Sequence, residues 1–320
     1  MEFRLIDRIR ERTVLARGDV RLGIGDDAAL LVPPAGQELA VAIDTLVEGV
    51  HFPHGTPPRD IGWKGLAVNL SDLAAMGATP AWALLALTLP RANAACVDGL
   101  ADGFAQLAQE HAVALVGGDT TRGPFCLSIV VHGFVPPGQA LTRAGARAGD
   151  AVFVTGTLGG AAGGLRLVQG RLPFDPADEA HRALRARLDR PTPRVRAGLA
   201  LRGHASACID VSDGLLADLG HLCAASGVGA QIDPNALPVP SALRGVFGSA
   251  AARELALSGG DDYELCFTVP PADVGAMQAA LAAVDGKATR IGTIVEGQGV
   301  RALGNEPLAA ARGGWDHFGL

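Results

Sequence analysis

The sequence predicts a two-domain α/β (α+β) protein, and three observations carry that prediction. Segments with helical period alternate with strand-like apolar runs along the whole chain, the pattern of helices packed on sheets. At 320 residues the chain is long enough for two hydrophobic cores. A turn-rich stretch, from Pro136-Pro137-Gly138 to the Ala- and Gly-rich run ending at Gly149, separates one set of elements from the next. It sets the expected domains at residues 1–137 and 138–320.

In the first set, apolar runs predict strands at 39–43, 84–89, 112–116 and 126–135, with helices at 60–76 and 93–110 between them. The helix at 60–76 has a legible face. Leu66, Leu70 and Leu73 recur at i, i+4 and i+7 and form its core stripe. Asn69 and Asp72, three apart, share a different face. Gly77 stands where a left-handed C-cap would end the helix, with Pro80 beyond it. In the second set, strands are expected at 151–154, 207–211, 230–232, 264–269 and 290–294, and helices at 177–188, 193–202 and 215–225. Both halves contain strand-to-aspartate junctions, but no sequence repeat relates them.

Those junctions are the main functional signal. Six times an apolar segment runs into aspartate: at Asp26-Asp27, Asp44, Asp72, Asp119, Asp210 with Asp213, and Asp261-Asp262. One such junction is ordinary, whereas six suggest that the ends converge. Two carboxylates about 4 Å apart repel by roughly 4 kcal/mol at an effective dielectric near 20. A convergent set therefore needs cations, and hard oxygen donors call for Mg²⁺, Ca²⁺ or Mn²⁺ rather than zinc. The first expectation is several divalent ions holding a polyphosphate.

Composition narrows the field. A net charge of −6 argues against general nucleic-acid or membrane-surface binding. The charged start of the chain leads to the expectation of no signal peptide, and no apolar run is long enough to span a bilayer. The five cysteines, at 96, 126, 208, 223 and 266, are scattered without a Cys-x-x-Cys pair and read as reduced, buried small residues. The expected location is cytoplasmic.

A P-loop is absent. The stretch from Val152 to Gly160 resembles a dinucleotide loop only superficially, since Leu158 takes the place of its second glycine; it reads as a tight strand-turn-helix junction. Gly117-Gly118-Asp119 would let backbone approach a ligand while Asp119 holds a metal, with a plain turn as the alternative. Asp210-Val211-Ser212-Asp213-Gly214 opens a helix, where an N-cap and a phosphate contact can coincide. His51 lies in a loop after Asp44, His132 reads as structural within an apolar strand, and His317 is open to either reading. No Ser-His-Asp or Cys-His arrangement supports a covalent nucleophile.

Taken together, these motifs resemble the thiamine-monophosphate kinase family. The resemblance runs in order through the segments around Asp27, Asp44 to His51, Asn69 to Asp72, Gly117 to Gly123, Arg143, Ile209 to Gly214, Leu257 to Leu265 and Gly314 to Phe318. It implies the two-domain fold of aminoimidazole ribonucleotide synthetase-like enzymes and a homodimer whose N-terminal sheets pack across the dimer. It implies ATP-dependent conversion of thiamine monophosphate to thiamine diphosphate with several Mg²⁺ ions. Carried over by position, the metal carboxylates are Asp27, Asp44, Asp72, Asp119, Asp210 and Asp213. ATP contacts come from Gly118, Asp119, Arg143 and Ser212, and the thiamine end is met by His51, Asp261 and Trp315.

The chain departs from the family pattern at two motifs. Ala42-Ile43 replace hydroxyl residues before Asp44, and Asp261 replaces a glutamate. Related enzymes that need a reactive cysteine, the selenophosphate synthetases and the hydrogenase-maturation dehydratases, fit less well: no cysteine precedes Cys96 and none ends the chain. An aminoimidazole ribonucleotide synthetase-like activity is the remaining enzyme alternative, and a nucleotide- or metal-binding regulator without turnover is the alternative from another class.

Overall fold

Two units make up the structure, a computed structural model that describes residues 2–303. One unit holds the chain up to Leu73 together with Ala78–Gly138; the other holds Ala74–Gly77 together with the chain from Gln139 onward.

The first unit contains α1 (Glu2–Arg12), β1 (Val20–Leu22), β2 (Leu30–Leu31), β3 (Glu38–Val47), α2 (Pro58–Ala75), β4 (Thr79–Leu89), α3 (Ala94–Glu110), β5 (Ala114–Arg122) and β6 (Cys126–Val135). Four strands form a sheet in the order β3-β6-β4-β5. The β4–β5 pair is parallel and needs a crossover, which α3 supplies. Leu66, Leu70 and Leu73 are buried as the stripe predicts, but so are Asn69, Ser71 and Lys64, so α2 is enclosed on nearly all sides. Helices α2 and α3 cross closely: a Cβ at Gly103 would lie 1.8 Å from the Arg59 carbonyl oxygen. Gly77 takes φ 61° just beyond α2, the left-handed stop expected there.

The sheet's far face differs. On β3 burial alternates, and Leu39, Val41 and Ile43 are 49, 57 and 61% exposed. Their cross-strand partners on β6 are Phe134, His132 and Val130. Helix α1, which the charged N-terminus concealed, buries Leu5 and Ile9 and is tied to α3 by Arg8–Asp98 and Arg12–Asp102 ion pairs, each at 2.6 Å.

The second unit contains β7 (Ala151–Thr155), α4 (Gly160–Val168), α5 (Glu179–Asp189), α6 (Val195–Leu201), β8 (Ala207–Val211), α7 (Leu215–Ser226), β9 (Gly229–Ile232), α8 (Ser241–Ser258), β10 (Glu264–Val269), α9 (Val274–Ala282), β11 (Ala288–Val295) and β12 (Gly299–Ala302). Its sheet runs β12-β9-β11-β7-β10-β8. Every residue of β7, β8 and β10 is buried, including the charged Asp210 on β8 and Glu264 on β10. Phe153 and Phe267 stack at 5.7 Å between β7 and β10. Among the described residues, no helix is long and apolar enough to cross a membrane.

Candidate active site

In the first unit, four of the expected ligands lie on different supports. Asp44 is on β3, and its N–H leaves the ladder to donate to Asn69 Oδ1 at 3.0 Å. Asn69 is fully buried and donates its own amide to the Gly65 carbonyl at 2.9 Å. A buried amide thus joins α2 to the strand, and half-buried Asp72 follows one turn later on the same helix. Beyond β3 the chain turns at His51, whose Nδ1 accepts the Val47 N–H at 3.0 Å, so the neutral ring carries its proton on Nε2. The His51 carbonyl accepts from Lys64 Nζ at 3.0 Å. Lys64, one of only two lysines in an arginine-rich chain, is 2% exposed, a signal the sequence held in plain view. Asp27 is exposed in a loop, its N–H bonded to the Asp26 side chain at 2.8 Å.

Asp119 is also exposed, but Gly117-Gly118-Asp119 is not a loop. It lies within β5, paired with β4 across a register shift, so that the extra residue forms a bulge. Gly118 has φ 153°, and a Cβ there would sit 1.9 Å from the Leu85 carbonyl oxygen. The neighbouring strand therefore accounts for glycine at this position, whether or not a ligand approaches.

In the second unit, Asp210 is the penultimate residue of β8 and is 6% exposed. The loop after it is not capped by Ser212 or Asp213. Instead Asp218, inside the first turn of α7, accepts the N–H groups of Ser212, Asp213 and Gly214, each at 3.1 Å. Asp218 thus satisfies the three N–H groups of the loop that leads into α7 and fixes the loop that carries Ser212 and Asp213. Burial, then the charges of Asp210 and Asp213, push the Asp218 carboxyl up to about 7, against the N–H bonds that favour its ionised form.

A second loop lies against the first. The Asp261 N–H donates to the Ser212 carbonyl and the Tyr263 N–H to the Val211 carbonyl, both at 2.8 Å. Asp261 and Tyr263 both have positive φ, 69° and 51°. Between them, Asp262 is 1% exposed and accepts the N–H groups of Gly159 at 2.5 Å and Ala161 at 3.4 Å, capping α4 from outside. Glu264 is fully buried, bound twice by Arg194 at 2.6 Å, by Arg187 at 3.0 Å and by Thr155 at 2.7 Å. Burial opposes its ionisation, yet the Arg194 hydrogen bonds and charge, with Arg187 and Thr155, outweigh it and hold the carboxyl below the usual range.

Arg143 is exposed, its carbonyl accepting from Ser226 Oγ at 2.9 Å. Trp315 and His317 lie outside the described residues. Among the described residues, no three His, Cys, Asp or Glu side chains stand close enough together to hold a metal ion by themselves.

The chain is similar to known proteins along most of its length. Residues 25–135 match the model for AIR synthase related protein, N-terminal domain, and residues 147–305 that for AIR synthase related protein, C-terminal domain. Thiamine-monophosphate kinase of Salmonella typhimurium is 47% identical, over 99% of this chain and 98% of that one. The enzyme of the same name from Bacillus subtilis is 38% identical, over 92% and 91%. The crystal structure of thiamine-monophosphate kinase from Stenotrophomonas maltophilia has a TM-score of 0.88 and 55% identity, covering 95% of this chain and 96% of that one. The structure of AaThiL complexed with AMPPCP and TMP has a TM-score of 0.80 and 32% identity over 99% and 97%.

Proposed function

We propose that this chain, which belongs to the thiamine-monophosphate kinase family, passes the γ-phosphoryl group of ATP directly and in line to thiamine monophosphate, giving thiamine diphosphate. The observation that carries this is end-to-end likeness to proteins of that name, together with a 32% identical relative in complex with AMPPCP and TMP.

The acceptor chemistry suits these residues. A phosphate monoester has a second pKa of about 6 and is largely dianionic at neutral pH, so it needs no general base. The barrier is repulsion between two polyanions and their alignment. Arg143 neutralises donor charge, while Gly118, Asp119 and Ser212 contact ATP. His51, Asp261 and Trp315 receive the thiamine end. A cation over the Trp315 indole is worth about 0.5–2 kcal/mol.

The residues fit Mg²⁺. Asp27, Asp44, Asp72 and Asp119 in the first unit, and Asp210 and Asp213 in the second, offer only hard carboxylate oxygens. The upward push on Asp218 by Asp210 and Asp213 marks negative charge that a cation would neutralise. When bound, Mg²⁺ supplies charge neutralisation on the phosphate oxygens.

The exposed Leu39, Val41 and Ile43 face supports a homodimer in which a second copy covers it. Sedimentation as a monomer at micromolar concentration would remove that part of the reading.

The activity is tested by ATP turnover against thiamine monophosphate, thiamine, an aminoimidazole ribonucleotide precursor and selenide. Thiamine diphosphate and ADP formed only with thiamine monophosphate, and lost in excess EDTA, is the expected result. Preferential turnover of an aminoimidazole precursor would install the alternative enzyme, and binding of ATP without any turnover would install the regulator.

A further inference from the structure

Tyr263 is the only tyrosine of the chain, and the reaction as described gives it no task. Its backbone is held at φ 51°, two residues after Asp261 at φ 69°. Side chains other than glycine, asparagine and aspartate seldom adopt this region, and a bulky ring least of all. Such conformations persist where surrounding structure over-determines them. Here the surrounding bonds are visible. The two residues hang by their N–H groups from the Ser212 and Val211 carbonyls, and buried Asp262 and Glu264 anchor the chain between and after them. The result is that the phenol folds back onto a side chain of its own loop: Tyr263 Oη donates to Asp261 Oδ1 at 3.0 Å.

We propose that Tyr263 is a positioning residue for the thiamine end of the substrate, acting through Asp261. The proposal rests on the reading that Asp261 meets that end. A carboxylate on a loop rotates about two side-chain bonds, and its usefulness to a cationic ring or an exocyclic amine depends on where its oxygens point. One fixed O–H···O bond sets that direction. It also gives the short acid at this position a defined orientation that chain length alone would not provide. The ligand class it selects is a flat, cationic or amine-bearing heteroaromatic, whereas the phosphate end and ATP are indifferent to it.

The test is a double-mutant cycle on the full-length enzyme with Tyr263→Phe, Asp261→Asn and both together. Loss of one hydrogen bond to a charged group is expected to raise the KM for thiamine monophosphate roughly tenfold in Tyr263→Phe, with kcat, the KM for ATP and the melting temperature little changed. The double variant should be no worse than Asp261→Asn alone. Fluorotyrosine incorporated at this single site gives one fluorine resonance, which should move on addition of thiamine monophosphate in the wild type and stay in place in Asp261→Asn. If Asp261→Asn raises the KM and Tyr263→Phe does not, the positioning role is wrong while the site reading stands. If Asp261→Asn itself leaves the KM unchanged, both fall. An additive double variant would show that Tyr263 acts independently of Asp261, which also overturns the proposal.

Discussion

Four candidate aspartates of the first unit and four buried acids of the second are held in opposite ways. In the first unit Asp27 and Asp119 are exposed, and Asp44 and Asp72 are half-buried beside a buried asparagine. In the second, Asp210, Asp218, Asp262 and Glu264 are all under 7% exposed, and the last three are tied to backbone N–H groups or guanidinium groups of the chain itself. One set is presented, the other is built in. The lesson is that an aspartate-rich sequence spends its carboxylates on two tasks, and burial with partners separates them better than spacing does.

The sharpest way to break this comparison is to remove a built-in acid. Glu264→Ala leaves Arg187 and Arg194 without the carboxylate they share and should cost about 3–5 kcal/mol of stability, nearer the lower figure because both arginine side chains are partly exposed, 23 and 29%. Urea denaturation measures it, and a loss under about 1 kcal/mol would mean that the network is ornamental. A presented acid should behave in the reverse manner. Asp72→Asn is expected to lower turnover by at least ~100-fold, about 2.7 kcal/mol of barrier, with an unchanged melting temperature; near-normal turnover would remove Asp72 from the metal set. The smallest effect is a pH dependence. Burial above all raises the Asp262 carboxyl from 3.8 to about 7, so the folded state keeps a proton that the unfolded chain loses across that window. The stability this acid confers is full below its unfolded pKa and is lost as pH rises towards its folded one. Asp262→Asn removes that slope, and its stability relative to wild type should improve by about 2 kcal/mol between pH ~5 and ~7. A pH-independent difference would show that Asp262 is ionised throughout.

Much of the secondary structure was legible. The strands at β6 and β10 and the core stripe of α2 follow directly from period and apolar run. Other elements were hidden for definite reasons. The arginines and acids of α1 dominate its composition, although Leu5 and Ile9 mark its buried side. Helix α8 is broken by Gly248 at φ 77°, so its two halves show no continuous stripe. Gly117-Gly118 read as a loop because glycine punctuates so many of them, whereas the demand here comes from β4, some thirty residues away in sequence. For the site, the aspartates themselves were visible, but their partners were not. Asp218 lay in view, five residues beyond Asp213, yet nothing local says that it turns back onto that loop. Arg194 and Glu264 are separated by 70 residues, a pairing that only the fold creates.

The cap that Asp262 places on α4 has a consequence for change over time. A glycine turn leading into a helix is the seat at which many folds receive a phosphate from outside. Here the occupant is encoded by the same gene as the seat, so it is present once per molecule and cannot be competed away. Positions 159 and 262 are thereby one heritable unit. A lineage that loses the acid inherits two unsatisfied donors, and a designer who wants a new anion site at this turn has to evict the resident before inviting a guest.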